Sequence, residues 1–144
     1  MDIKTITTET AIRQIQDAAK HLPEVRIITD MKIGEVVRQG DIYIERVSAI
    51  ASKGAAVKSR QLAPGTTKGS RHIVDESPSV TLWESKPSLD NKAAFQVGPA
   101  IEAKGGFSIT HPEHAWIKFV VGKASQFFQI WFQADFARKE RAQD

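Results

Sequence analysis

Residues Ser125 to Phe136 read Ser-Gln-Phe-Phe-Gln-Ile-Trp-Phe-Gln-Ala-Asp-Phe, and this stretch decides the fold class. Its side chains alternate with a period of two, which is typical of a β-strand. One face is wholly apolar and is predicted to lie in the core; it carries Phe128, Ile130, Phe132, Ala134 and Phe136. The other face is half apolar; it carries Phe127, Gln129, Trp131, Gln133 and Asp135. We therefore expect the second face to be covered by an N-terminal helix or by a second subunit.

Similar short strand patterns lie on the N-terminal side of this stretch. They fall at residues 25–29, 35–37, 42–50, 79–84, 93–97, 100–104, 107–110 and 115–121. Two short links, Gly105-Gly106 and Gly122-Lys123, predict tight hairpins because glycine accepts the backbone angles of such turns. The sequence thus predicts a mainly β fold, an antiparallel β-sandwich or small barrel of about seven to nine strands with one N-terminal helix.

That helix is predicted over residues 8–22. Thr8 is a suitable N-cap, an apolar stripe recurs every three or four residues, and Pro23 stops the run. The sequence therefore divides into three predicted parts. They are an N-terminal helical appendage (1–24), a single β domain (25–136) and a charged tail (137–144).

The composition excludes several kinds of chemistry. The chain of 144 residues contains no cysteine, so it has no disulfide framework, no thiolate nucleophile and no cysteine metal cluster. Neither a signal-peptide run nor a stretch of about 20 apolar residues is present. We expect a cytoplasmic protein without a membrane partner, and a bacterial or phage origin is compatible with the composition.

The net charge of +3 is unevenly distributed along the chain. Between Glu45 and Asp75 there is no acidic residue, whereas six cations occur: Arg46, Lys53, Lys58, Arg60, Lys68 and Arg71. Such a segment suggests phosphate contacts. However, residues 46–71 contain no aromatic side chain on which a base could stack, which argues against nucleic acid as a partner.

Residues 51–71 are predicted to form a long loop or a pair of loops, and the end of this segment resembles an anion-binding loop. The sequence Gly65-Thr66-Thr67-Lys68-Gly69-Ser70-Arg71-His72 is rich in glycine, hydroxyl groups and positive charge. It could present Thr66, Thr67, Lys68, Ser70 and Arg71 to a small anionic ligand. It lacks the order of a P-loop. The alternative interpretation is a solvated turn with scattered charges.

A second motif, Thr110-His111-Pro112-Glu113-His114, follows a predicted strand. With His72 it supplies three imidazoles, and Glu113 could add an oxygen ligand, so a divalent metal ion is a candidate cofactor. Alternatively, His111 caps the turn and His114 lies at the surface or the core edge. Rings within about 5 Å of one another would favour the metal interpretation, and a remote His72 would favour structural roles.

Together, Gly40-Asp41, the loop that ends at His72 and the motif at 110–114 resemble a family of small uncharacterised bacterial and phage β proteins. The resemblance covers roughly residues 35–136. It implies a site at the two histidine motifs and no particular reaction. Relatives often carry His-x-His in the first loop, where this chain has Ser70 in place of the first histidine. The arrangement is also similar to a cupin, in which histidines from separate strands bind one metal, although the cupin sequence pattern is missing.

Three hypotheses about function follow. The first is a non-catalytic small β binding or assembly module, forming a homo-oligomer, with a loop site around His72 and His111–His114. The second is a metal-dependent, cupin-like enzyme or metal-binding protein that uses His72, His111 and His114. The third is weak nucleic-acid binding through residues 46–71. Because no complete catalytic set occurs in the sequence, the balance is against an enzyme.

Overall fold

The computed structural model describes residues 10–12, 24–51, 53–86, 95–135 and 140–141, most of which form strands. In chain order the strands are β1 (Val25–Ile28), β2 (Val36–Gln39), β3 (Ile42–Val47), β4 (Lys53–Val57), β5 (Ile73–Val74), β6 (Val80–Ser85), β7 (Phe95–Ala103), β8 (Phe107–Thr110), β9 (Trp116–Phe119), β10 (Gln126–Asp135) and β11 (Glu140–Arg141). The number exceeds the expected seven to nine partly because β5 and β11, with two residues each, are too short to give a sequence pattern.

These strands form two sheets packed face to face, which confirms the predicted β-sandwich. The smaller sheet has the order β1-β9-β8-β5, and the larger has the order β2-β3-β10-β7-β6-β4, with β11 paired to β10. Within the described residues both sheets have open edges, so the barrel alternative was wrong. All pairings are antiparallel except that of β1 with β9, which is parallel.

The predicted helix is described only in part. Residues 10–12 are α-helical, and the rest of the 8–22 segment lies outside the described residues. Phe136, predicted as the end of the inward face, also lies outside them. No helix among the described residues combines the length and the apolar character needed to cross a bilayer.

Three phenylalanine rings join the two sheets at the centre of the core. Phe107 of β8 and Phe119 of β9 stack at 4.7 Å between ring centroids in the smaller sheet. Phe128 of β10, in the larger sheet, meets them at 5.5 and 5.2 Å. All three are buried, and Phe128 lies on the face that the alternation predicts to be internal. The period-two pattern therefore identified the core side of β10 correctly.

The two predicted hairpins were wrong. β7 and β8, on either side of Gly105-Gly106, belong to different sheets, and so do β9 and β10, on either side of Gly122-Lys123. Both links cross from one layer of the sandwich to the other. Gly105 and Gly106 do not adopt positive φ; instead, an added Cβ would lie 2.9 Å from Ser79 Oγ at Gly105 and 3.1 Å from Phe119 O at Gly106. Close approach therefore explains these glycines.

The segment 51–71 is not made of loops alone, so the prediction of a long loop or a loop pair was wrong where a strand forms. It contains β4, which pairs with β6, and a 3-10 turn at Lys68–Ser70. The residues of β4 are mostly small, so the sequence lacks the alternation of large apolar and polar side chains that would predict a strand. Gly54 is required there because an added Cβ would lie 2.6 Å from the carbonyl oxygen of Glu84. The loop that ends at His72 is consequently anchored at both ends.

A β-bulge interrupts the pairing of β10 with β7 between Gln129 and Trp131. The side-chain amide of Gln129 is buried and its nitrogen lies 2.8 Å from the carbonyl oxygen of Gly98 and 3.0 Å from that of Ile130. Hydrogen bonds to these carbonyls keep polar groups satisfied where the regular ladder fails. Trp131, on the same outer face of the larger sheet, is also buried.

Candidate functional site

The fold brings together the histidines from the two sequence motifs. The antiparallel pairing of Ile73 with Thr110 places the residues beside them, His72 and His111, next to each other. Their ring centroids are 4.4 Å apart, and those of His111 and His114 are 4.5 Å apart. We call these three side chains the histidine cluster. His72 and His111 are buried and His114 is half-buried.

Both ring nitrogens of His72 face acceptor oxygens from the turn between β2 and β3. Nδ1 lies 2.8 Å from Gln39 Oε1, and Nε2 lies 3.0 Å from Asp41 Oδ1. The orientation of the Gln39 amide is fixed because its nitrogen donates to the carbonyls of Ile109 and Ala115. Nδ1 of His72 therefore donates to Gln39 Oε1, and Nε2 forms its hydrogen bond with the Asp41 carboxyl group. This buried pair joins the two sheets.

The ring nitrogens of His111 are likewise directed at the protein. Nε2 lies 3.2 Å from the carbonyl oxygen of Gly69, and Nδ1 accepts the backbone N–H of Glu113 at 3.0 Å. Because a carbonyl only accepts and an amide only donates, the hydrogen of this ring resides on Nε2. His111 therefore connects the turn after β8 with the glycine-rich loop, as a capping residue would.

The rings lie close together, yet the nitrogens of His72 and His111 are directed at protein groups rather than at a common point. A metal ion binds the lone pair of a neutral imidazole nitrogen, and His72 and His111 direct theirs at protein groups. Glu113 is exposed, whereas His72 is fully buried. Within the part of the chain that the structure describes, no three histidine, aspartate or glutamate side chains are arranged to hold a metal ion.

The five predicted anion-binding residues do not share one surface. The exposed members are Thr66, Thr67, Lys68 and Arg71. Ser70 is buried, and its hydroxyl lies 3.1 Å from Thr67 Oγ1. Gly65 adopts φ of 125°, and an added Cβ there would lie 2.6 Å from Ser70 Oγ. The turn is therefore closely packed on itself around Ser70.

Two of the six cations of the basic segment, Arg46 and Arg60, donate to backbone carbonyls. Lys53 forms an ion pair with Glu102 at 3.2 Å, but its side chain remains 45% exposed. Lys58, Lys68 and Arg71 are also exposed. The charge available to an external phosphate chain is therefore about two thirds of what the sequence indicates.

A groove that sequence reasoning did not identify lies on the outer face of the larger sheet. It has a volume of about 190 Å³ and is lined by Val36, Tyr43, Glu45, Phe95 and Trp131. We call it the aromatic groove. Tyr43 and Phe95 meet edge to face at 4.9 Å, and Trp131 Nε1 donates to Glu45 Oε1 at 3.0 Å. The half-apolar face of β10 was the one signal in the sequence that pointed to this surface.

A family model described as Domain of unknown function (DUF8820) matches residues 38–131. The matched range includes the turn at Gly40-Asp41, both histidine motifs and four of the five groove residues, and it agrees with the resemblance to an uncharacterised family. Neither the curated proteins nor the solved structures contain a match to this chain.

Proposed function

Because this chain belongs to the DUF8820 family, whose description assigns no function, we propose from its geometry that it is a non-catalytic ligand-binding module. The observation that carries the proposal is the aromatic groove. An apolar concave surface with one polar group is the usual form of a ligand site. Val36, at its rim, leaves 51% of its surface exposed, so a ligand gains apolar burial there.

The histidine cluster has a supporting role in this proposal. His72 and His111 join the turn before β3, the glycine-rich loop and the turn after β8 through buried hydrogen bonds. Hydrogen-bond networks of this kind favour one arrangement of the segments that they join. β3 contributes Tyr43 and Glu45 to the aromatic groove, so the network holds one wall of the binding surface.

The three tryptophan indoles allow a direct test, since each lies at a different place. Trp131 Nε1 donates to Glu45 in the groove, Trp116 Nε1 donates to the His111 carbonyl, and Trp83 Nε1 donates to Glu102. A ¹H–¹⁵N spectrum therefore reports on the groove, the histidine cluster and a distant control. Choline, maltotriose, indole and inorganic phosphate would be titrated as probes of four chemistries.

We expect at least one probe to move the Trp131 indole signal in a saturable manner while the Trp116 and Trp83 signals stay in place. The variant Val36→Glu should weaken that binding because it puts a charge at the apolar rim. If none of the four probes moves Trp131, the proposal fails. It also fails if the shifts concentrate at the backbone of 65–71 instead, which would favour the anion-binding loop.

A divalent metal site at the histidine cluster is the second candidate, because the adjacent ring centroids are 4.4 and 4.5 Å apart. Binding would require His72 or His111 to release its present hydrogen bonds. Its test is the melting temperature and the Trp116 indole signal on addition of Zn²⁺, Mn²⁺ or Fe²⁺. A stabilising shift that is lost in His114→Ala would support the metal site, and no response would exclude it.

A further inference from the structure

The outer face of the larger sheet carries two tryptophan–glutamate pairs of the same kind. Trp131 Nε1 donates to Glu45 Oε1 at 3.0 Å, and Trp83 Nε1 donates to Glu102 Oε1 at 3.2 Å. In each pair an indole ring and a carboxylate lie side by side. A ring face attracts a cation through its quadrupole, and a carboxylate attracts it through its charge.

One of these pairs binds an ammonium group of the chain itself. Lys53 Nζ lies 3.8 Å from the centroid of the Trp83 ring and 3.2 Å from Glu102 Oε1. The amine thus contacts the aromatic face and the carboxylate at the same time. This arrangement shows how a tryptophan–glutamate pair on this sheet accommodates an alkylammonium ion.

Within the described residues, the pair in the aromatic groove has no such lysine, and no cation forms an ion pair with Glu45. A carboxylate offers about four acceptor positions, and the Trp131 indole uses one. Arg38, which is paired with Tyr43 in the neighbouring strand, donates from Nε to Gly40 O at 2.6 Å, and its guanidinium lies over the Tyr43 ring, 5.3 Å from the centroid. The chain's own cation at Tyr43 thus leaves the Glu45 carboxylate without an ion pair among these residues.

We propose that the aromatic groove binds an alkylammonium group, with Glu45 supplying the charge and Trp131, Tyr43 and Phe95 supplying the aromatic walls. The inference rests on the proposed binding function and names its ligand class. Among the described residues that line the groove, Glu45 is the one that carries a charge, so this lining complements a single positive charge. Its volume of about 190 Å³ suits one head group or side chain rather than a larger molecule.

Choline and its neutral carbon isostere, 3,3-dimethylbutan-1-ol, test the role of the charge. In titrations followed by the Trp131 indole signal, choline should bind at least about tenfold more tightly than the isostere. Glu45→Gln should weaken choline binding by about tenfold, because it removes the charge and keeps an acceptor for the indole. Glu102→Gln is the matched control: it changes the other carboxylate of the same kind and should leave choline binding unchanged.

The tripeptide Gly-Lys-Gly and its acetyl-lysine form distinguish the two sources of such a group. Binding of the lysine form but not the acetylated form indicates the side chain of a partner polypeptide, and binding of choline alone indicates a small free cation; both support the inference. Equal binding of choline and its isostere, or choline binding that Glu45→Gln does not weaken, would overturn it. If maltotriose or indole moves Trp131 and neither cation does, the inference fails and the binding function stands.

Discussion

At the scale of single residues, His72 and Asp41 form a hydrogen-bonded contact between two buried side chains. His72 is fully buried and Asp41 leaves 2% of its surface exposed, with 3.0 Å between Nε2 and Oδ1. The orientation of Gln39 requires the other nitrogen, Nδ1, to donate. A buried pair of this kind is costly to break by removing one partner, because the other then loses its hydrogen bond inside the protein.

We expect Asp41→Ala to lower the free energy of unfolding by about 3–5 kcal/mol, since it leaves His72 Nε2 buried without this partner. Asp41→Asn should lose much less, because a carboxamide N–H can donate to Nε2 of a neutral imidazole. Urea denaturation of both variants measures the difference. Equal losses for the two would contradict the assignment of the bond to His72 Nε2.

Also at the scale of residues, the sequence predicted which histidines belong to the candidate site but not how their side chains are arranged. The sequence left open whether His72, His111 and His114 lie close together; in the structure adjacent ring centroids are 4.4 and 4.5 Å apart. It also contains no information on where the nitrogens of His72 point, because that depends on Gln39 and Asp41, which are more than 30 residues away. Whether the cluster is structural or a metal site is therefore a question of lone-pair direction rather than distance.

At the scale of elements, the bulge between β7 and β10 depends on one side chain. The Gln129 nitrogen reaches the carbonyl oxygens of Gly98, Pro99 and Ile130 at 2.8, 3.3 and 3.0 Å. These carbonyls lie where the pairing register shifts. Removing the amide leaves buried acceptors without this donor.

We expect Gln129→Leu to reduce stability by about 1–3 kcal/mol and to speed hydrogen exchange of the β7 and β10 amides around the bulge. Gln126→Leu, in the same strand, is the matched control and should have a small effect, since Gln126 lies at the start of β10 away from the bulge. Hydrogen exchange followed by NMR measures both. Similar protection in the two variants would contradict the role assigned to Gln129.

A second prediction at the scale of elements concerns β4, the strand that pairs with β6. Lys53, in β4, covers the ring of Trp83 and pairs with Glu102. In Lys53→Ala the tryptophan–glutamate pair is open, so choline should now shift the Trp83 indole signal as well as that of Trp131. The ¹H–¹⁵N spectrum measures both signals in one titration. A Trp83 signal that ignores choline in this variant would contradict the view of Lys53 as an internal ligand.

Sequence patterns at this scale located many strands and failed on how they connect. Alternation identified both faces of β10, but the hairpins predicted at Gly105-Gly106 and Gly122-Lys123 were wrong. A glycine-rich link looks the same in sequence whether the chain turns within a sheet or crosses to the other. The difference depends on which strands pair, and β8 pairs with β9 and β5 rather than with β7.

At the scale of the whole molecule, the charge distribution argues against a nucleic-acid partner. The basic segment presents four exposed cations, Lys53, Lys58, Lys68 and Arg71, while Arg46 and Arg60 donate to backbone carbonyls. Counterion release makes affinity depend on the number of phosphates contacted. Four contacts supply little affinity at physiological salt.

We expect no saturable binding of a labelled single-stranded 20-mer at about 0.15 M salt, because charges there are screened. At low salt, any binding through this segment should have a log–log salt slope no steeper than about −3, since each contact to single strands contributes about −0.7. Fluorescence anisotropy measures this. A slope of about −4, corresponding to all six cations, would contradict the internal assignments of Arg46 and Arg60.

The sequence alone determined that this chain is mainly β with one face of β10 in the core, and it left the choice between a sandwich and a small barrel to the tertiary structure. The core face could be determined because strand side chains alternate with a period of two, so the local sequence shows which side chains of a strand are buried. The tertiary structure decided the partners of each strand, the direction of the histidine nitrogens and the pairing of Glu45 with Trp131, which are 86 residues apart. These features arise only when distant segments meet, and no local periodicity encodes them.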